Sequence, residues 1–379
     1  MIDCNHFVRG LEQAGIGLVT GVPDSLLRNI CACITGTLPP ERHIIATNEG
    51  AAVAMATGHY LATGRPSLVY MQNSGLGNAV NPLVSLADPL VYGIPMVLMI
   101  GWRGEVLSTG TQAKDEPQHR KQGLVTLAQL DTLGIPHAVA DASTPDIAGV
   151  LAGLTADALA RPGPVALVMR KDSFAPYAGK PASADHPWPS REDALRTLLG
   201  ALPPASLIVA TTGYASRELF ELRRQLGQPH ERDFLCVGGM GHASQIAAGI
   251  ALAKPESLVV CVDGDGAMLM HMGALAISAG CSNLIHIVIN NGSHESVGGQ
   301  PTKAADLNLA KLARSLGYGF AHRAESLEAL NALTQRALTC GTSAFVEVMC
   351  RTGARGNLGR PDRYPAEAKA DFIAAIAKG

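Results

Sequence analysis

Residues 262–293 constrain this chain more than any other stretch. A β-branched run at 258–262 ends in Asp263-Gly264-Asp265-Gly266-Ala267, and a second strand-like run at 284–289 ends in Asn290-Asn291-Gly292-Ser293. In an open parallel sheet, neighbouring strands present their carboxyl ends on one edge, and ligands bind in the crevice there. Asp265 and Asn291, 26 positions apart, then meet. The pattern between them predicts a helix over 267–279, whose N-terminus turns free N–H groups and a positive dipole end to the same edge. An anion site beside a carboxylate calls for a cation. Asp265, the Asn291 side-chain oxygen and the Ser293 backbone carbonyl, with two phosphate oxygens and a water, would complete the oxygen octahedron that Mg²⁺ demands. Gly264 and Gly266 allow the close approach.

At 379 residues the chain has room for two ordinary domains. Hydrophobic residues make up 47% and charged residues only 16%, below the usual quarter or so. Surface buried against another subunit would account for that, so an oligomer is expected. The net charge of −2, with no basic run, argues against a nucleic-acid partner. Eight scattered cysteines contain no CxxC pair and read as reduced core residues. The start has no basic, apolar leader, and the longest apolar run, 91–100, is interrupted by Gly93 and Pro95 and is too short for a bilayer. The expectation is a soluble, cytoplasmic protein without a membrane partner.

Helical and strand patterns alternate throughout, with strands predicted near 17–20, 43–46, 67–71, 96–100 and 165–169, then near 207–210, 234–237, 258–262, 284–290 and 344–349. Between the two series, Pro176, Pro181, Pro187 and Pro189 fall among small and polar residues without periodicity. The predicted organisation is α/β: two doubly wound parallel-sheet domains, 1–175 and 191–379, joined by a linker at 176–190.

Gly264-Asp265-Gly266 followed by Asn290-Asn291 resembles the signature of thiamine-diphosphate (ThDP) enzymes. The resemblance covers nearly the whole chain and implies a pyrimidine-binding domain first and a diphosphate-binding domain second, with ThDP and Mg²⁺ as cofactors. It implies Asp265, Asn291 and Ser293 as metal ligands, with Gly266 and Ala267 at the diphosphate. Thr47-Asn48-Glu49-Gly50, ending a strand and opening a helix, is similar to the family's catalytic glutamate segment. Glu49 would hydrogen-bond the cofactor's aminopyrimidine ring and favour its imino tautomer. Gly238-Gly239-Met240-Gly241 fits the segment that bends the cofactor, with Met240, 25 positions before Asp265, wedged between the rings and the Gly238 carbonyl accepting from the amino group. The loops holding Asp24 and Ser25, and Asn73 and Gly75, resemble segments that face the thiazolium and substrate. In the family the active site forms where one subunit's pyrimidine domain meets another's diphosphate domain, so self-association is implied.

Three further segments resemble the phosphonopyruvate decarboxylases: the polar block 114–123, the stretch 291–302, and Asn357-Leu358-Gly359-Arg360-Pro361. The implied reaction converts 3-phosphonopyruvate to phosphonoacetaldehyde and CO2, as in phosphonate and antibiotic biosynthesis. Sulfopyruvate decarboxylases are the sister family; many of those split the two halves between chains, so this fused chain favours the phosphonate. Lys114, His119, Arg120, Lys121, Arg351, Arg355 and Arg360 form the pool for a dianionic substrate, and His119 and His294 are the candidates for protonating the product. A nicotinamide dehydrogenase would need a third glycine after Gly239-Met240-Gly241, which is absent. A catalytically silent subunit of the same fold would have no need of Glu49, Asp265 and Asn291 together.

Overall fold

The computed structural model describes residues 1–178 and 186–377; part of the expected linker, 179–185, lies outside the described residues. The chain forms two compact units, Met1–Pro181 with Val297–Gln300, and Ala182–Ser296 with Pro301–Gly379.

The described residues of the first unit build strands β1 (Leu18–Gly21), β2 (His43–Ile45), β3 (Ser67–Gln72), β4 (Met96–Gly101), β5 (His137–Ala140) and β6 (Pro164–Met169), ordered β2-β1-β3-β4-β6-β5. Every pairing is parallel. Helices must then cross over both faces, and the central strands read as unbroken apolar runs because both faces are covered. All six residues of β4 are buried, and so are all six of β6.

The second unit repeats the plan with β7 (Leu207–Ala210), β8 (Asp233–Leu235), β9 (Val259–Gly264), β10 (Leu284–Asn290), β11 (Phe320–Ala324) and β12 (Ala344–Met349), ordered β11-β12-β10-β9-β7-β8. These pairings are parallel as well. β9 and β10 lie side by side with Gly264 opposite Ile289, so Asp265 and Asn291 leave the sheet together. The strand direction reverses its order of addition between β1 and β3, and again between β7 and β9, which are the crevices where such sheets bind ligands.

The structure departs from the sequence expectation at several elements, the unforeseen helices Leu309–Ser315 and Pro365–Ala377 among them. Each sheet has a strand that periodicity missed, β5 and β11, and both are edge strands with partly exposed residues, so neither carries a continuous apolar run. The helix Pro117–Thr132 starts inside the polar block and was not foreseen. The single helix expected at 267–279 is instead a six-residue helix, Asp265–Met270, then a 3₁₀ turn, Met272–Ala274, and a short helix, Leu275–Ser278. His271 breaks it by leaving the helical region (φ −135°, ψ 42°), with its ring packed 4.6 Å from that of His242.

β1 ends in a close approach. Gly21 has φ +154°, and a Cβ there would lie 2.0 Å from the Tyr70 carbonyl oxygen, which accepts from the Val22 N–H at 3.1 Å. The Tyr70 hydroxyl, fully buried, bonds His43 Nε2 at 2.9 Å, and burial pushes that imidazole down to about 4. Gly21→Ala is therefore expected to destabilise the first unit by at least about 2 kcal/mol. Denaturant unfolding followed by far-UV circular dichroism would check this; an unchanged midpoint would contradict the close approach.

Candidate active site

In the first unit the carboxyl ends of β1 to β4 gather the expected residues. Asn48 caps the helix Glu49–Thr63 by accepting from the Ala51 N–H at 2.8 Å, which fixes Glu49 in the first turn. Glu49 is 5% exposed, and burial raises its pKa against a hydrogen bond from Asn78 Nδ2 to Oε2 at 2.8 Å. Gly75 makes the room: a Cβ there would lie 2.4 Å from Glu49 Oε1. A desolvated carboxyl of this kind favours its neutral, proton-donating form.

Asp24 follows β1 and is fully buried. Burial raises its pKa, opposed by the Gln72 Nε2 bond to Oδ1 at 2.6 Å and by the Leu26 and Leu27 backbone. Its Oδ2 has no hydrogen-bond partner, and a Cβ at Gly101 would sit 2.1 Å from it. Ser25 Oγ accepts from Arg103 NH1 at 2.9 Å, while the same guanidinium holds Asp115 through Nε (2.8 Å) and NH2 (2.5 Å). Burial alone would lift Asp115, but this fork holds its pKa below the usual carboxylate range. His119, beside that pair, is pushed down to about 4 by burial and by Arg103. Asn73 is taken up internally: its Nδ2 donates to the Arg103 carbonyl and to Thr126 Oγ1, each at 2.9 Å. Its side chain braces the loop, which leaves Gly75 as the residue of that loop next to Glu49.

In the second unit Asp265 opens its short helix at 3% exposure. Burial pushes its carboxyl up to about 7, although Thr302 Oγ1 donates to its Oδ2. Among the described residues no ion pair reaches it. A buried carboxylate without a cationic partner is costly unless protonated or bound to a metal, so the donor set suits Mg²⁺. The Asn pair divides its labour. Asn290 faces inward, donating to the buried Glu347 Oε1 at 2.8 Å. Asn291 stays in the loop, donating to Glu295 Oε2 at 3.0 Å and accepting from the Ser293 N–H at 3.1 Å. Ser293 forms a bridge with Pro301, and the Thr302 N–H bonds the Gly292 carbonyl at 2.9 Å, closing the loop over Asp265.

Gly266 leaves room for the His294 ring, whose Cε1 a Cβ there would approach to 2.9 Å. His294 itself is pushed down to about 4 by burial. Like His119 it is held in the neutral form, because burial disfavours the charged imidazolium. Ala267 is buried in the same turn. Gly238 and Met240 lie in the partly exposed turn before the helix Ala243–Ala253, where Gly239 (φ +69°) and Gly241 (φ +86°) shape the chain around Met240.

Sequence reasoning missed Gln72, Asn78, Arg103 and Asp115 in the first unit, and Arg191, Glu295 and Thr302 in the second. Each acts on another side chain, which spacing along the chain does not reveal. The cation pool also shrinks, because Arg355 is tied to Glu192, Glu221 and Asn357.

The family comparisons agree with this architecture. Residues 4–125 match the thiamine pyrophosphate enzyme N-terminal TPP binding domain, and residues 212–348 match its C-terminal TPP binding domain. The chain is 34% identical over 395 aligned residues to a phosphonopyruvate decarboxylase of Streptomyces viridochromogenes, covering 99% of this chain and 95% of that one. It is 35% identical to a phosphonopyruvate decarboxylase of Streptomyces hygroscopicus, covering 98% and 93%. A sulfopyruvate decarboxylase of Methanosarcina acetivorans is 27% identical, covering 90% of each. The chain therefore belongs to the thiamine pyrophosphate enzymes, in the branch that holds the phosphonopyruvate decarboxylases.

The raised pKa of Glu49 has a signed consequence. Stability from its neutral form is fully present below the unfolded value of 4.5 and is lost as pH rises through the higher folded value. Glu49→Gln should thus melt above the wild type at pH 8 in the absence of cofactor, by roughly 2–4 °C for each kcal/mol, with the gap closing at pH 4. Turnover should nonetheless collapse by at least about 100-fold. Gly75→Ala, which displaces the carboxyl, should share the loss of turnover. Scanning calorimetry at the two pH values and a steady-state assay would check both; an E49Q protein less stable than wild type at pH 8 would contradict the desolvation argument.

Proposed function

We propose that this protein decarboxylates 3-phosphonopyruvate to phosphonoacetaldehyde and CO2, with ThDP and Mg²⁺ as cofactors. The full-length likeness to two phosphonopyruvate decarboxylases, at an identity above that to the sulfopyruvate enzyme, carries the reading. In the reaction the C1–C2 bond breaks, its electron pair stays with the substrate, and a proton takes the place of the carboxyl group. ThDP, when bound, supplies the electron sink for that pair.

The chain's own residues prepare the site. Glu49 presents a buried carboxyl whose neutral form can donate to a ring nitrogen, with Asn78 fixing its direction. Asp265, the Asn291 oxygen and the Ser293 carbonyl would hold Mg²⁺, and Gly266 with Ala267 would face the diphosphate. Met240 and the Gly238 carbonyl would bend and anchor the cofactor. Asp24, buried beside Gln72, is a group that can hold a proton near the substrate, and Ser25 is oriented by Arg103. Lys114, Arg120 and Lys121, near the start of the helix Pro117–Thr132, are the remaining cations of that block for the phosphonate.

The same reading includes self-association, with the active site formed between subunits. Leu61, Leu90 and Tyr92 of the first unit, 72%, 94% and 70% exposed, support it as apolar surface that a second copy would cover. No helix among the described residues is long and apolar enough to cross a membrane; a cytoplasmic place and a role in phosphonate biosynthesis complete the proposal.

CO2 release from phosphonopyruvate, sulfopyruvate and pyruvate, with ThDP and with Mg²⁺ present or chelated, tests it. The expected result is a preference for phosphonopyruvate that disappears on chelation. Preference for sulfopyruvate would move the chain to the sister activity, and release from none of the three would favour a silent subunit. Asp265→Ala should weaken Mg²⁺-dependent ThDP binding by more than about 100-fold, read by calorimetric titration.

A further inference from the structure

Glu295 stands four residues after Asn291 and accepts three hydrogen bonds. Its Oε2 receives Asn291 Nδ2 at 3.0 Å and Arg191 NH1 at 2.6 Å, and its Oε1 receives the Gly353 N–H. Arg191 is 5% exposed and forks onto Glu218 through Nε (2.7 Å) and NH2 (2.8 Å), so the guanidinium cannot swing away. The carboxylate is thereby fixed as a pure acceptor facing the Asn291 amide.

An asparagine amide is nearly symmetrical in shape, and its neighbours decide which end points where. Here both neighbours agree: the Ser293 N–H needs an oxygen at Oδ1, and the Glu295 carboxylate needs a donor at Nδ2. A flipped amide would set N–H against N–H and oxygen against a carboxylate. The Oδ1 atom keeps a second lone pair, and that is the atom a hard cation requires.

We infer that Glu295 is a positioning residue for the metal site: held by Arg191, it locks the Asn291 amide with its oxygen toward the cation. The inference rests on the Mg²⁺ reading of Asp265, Asn291 and Ser293. Glu295 also pins the segment after β12 at Gly353, whereas Glu221 pins the same segment further on, accepting from the Gly359 N–H at 2.6 Å and from Arg355. These two anchors separate orientation of the amide from simple tethering.

The test is calorimetric titration of Mg²⁺ into the full-length protein with saturating ThDP, alongside melting of the metal-free protein. Glu295→Gln is expected to weaken Mg²⁺ binding by about 10–100-fold, and Glu221→Gln to stay within about twofold of wild type even if it melts earlier. The double variant Glu295→Gln with Asn291→Asp reverses the donor and acceptor, and should recover most of the lost affinity; it also serves if Glu295→Gln alone does not fold. Wild-type affinity in Glu295→Gln, an equal loss in Glu221→Gln, or no recovery in the double variant would each overturn the assignment. ThDP binding that needs no Mg²⁺ in the wild type would overturn the metal reading and this inference with it, whereas a normal wild-type requirement with an unaffected Glu295→Gln overturns this inference alone.

Discussion

Burying a carboxyl group without a cation beside it is the constraint around which both units are arranged. Glu49 and Asp265 each lie at the carboxyl edge of a parallel sheet, each is almost fully removed from water, and each has its pKa raised by that burial. Desolvation of a carboxylate is expensive, and a protein that accepts the cost needs something that returns it only when a ligand arrives. Under the proposed function that return would be a proton shared with a ring nitrogen for Glu49 and a divalent cation for Asp265. The contrast with Asp115 and Asp233 is instructive, since each of those has an arginine fork of its own.

Parallel topology makes such an arrangement cheap in sequence. Once six strands run the same way, every strand delivers its following loop to one edge, and the central strands need only apolar residues to reach it. The sheet itself accommodates polar groups sparingly. His286 Nε2 and Asp263 Oδ2 face each other 3.5 Å apart, fully buried between β9 and β10, with Cys261 close by as the third member of a cluster of metal-binding size. Neither of the two facing atoms makes a hydrogen bond, and their burial within the sheet leaves Asp265, two residues on, as the carboxylate that reaches the edge.

How much of this was legible follows from what a linear pattern can carry. Motifs confined to one turn, Gly264-Asp265-Gly266 or Asn48-Glu49-Gly50, announce a strand end, a glycine and a polar group together, and the structure puts those residues where two doubly wound sheets end. Central strands were equally clear. The edge strands β5 and β11 were not, because half-exposed positions such as His137 and Arg323 break the apolar run. The helix expected at 267–279 failed because His271 packs on His242, a contact from a loop some thirty residues earlier that no local period encodes. Arg103 and Arg191 escaped for the same reason, since Ser25 and Glu295 lie 78 and 104 positions from them; Glu295, though only four residues after Asn291, is held in place by that distant arginine.

These supporting residues carry more of the site's precision than the motif residues do. Glu49, Asp24 and Asn291 are each held in part by one amide or carboxylate side chain, namely Asn78, Gln72 and Glu295. Three polar side chains therefore stand behind three candidate functional ones, and each removes a rotational choice that would otherwise cost binding energy at every turnover. Asn78 and Gln72 flank the glycine loop of Gly75, and Glu295 sits inside the loop that closes on Thr302. A ligand at either edge thus meets groups already aimed, which is the economy that the proposed function would require, since a metal and a ring nitrogen are met by single atoms rather than by surfaces.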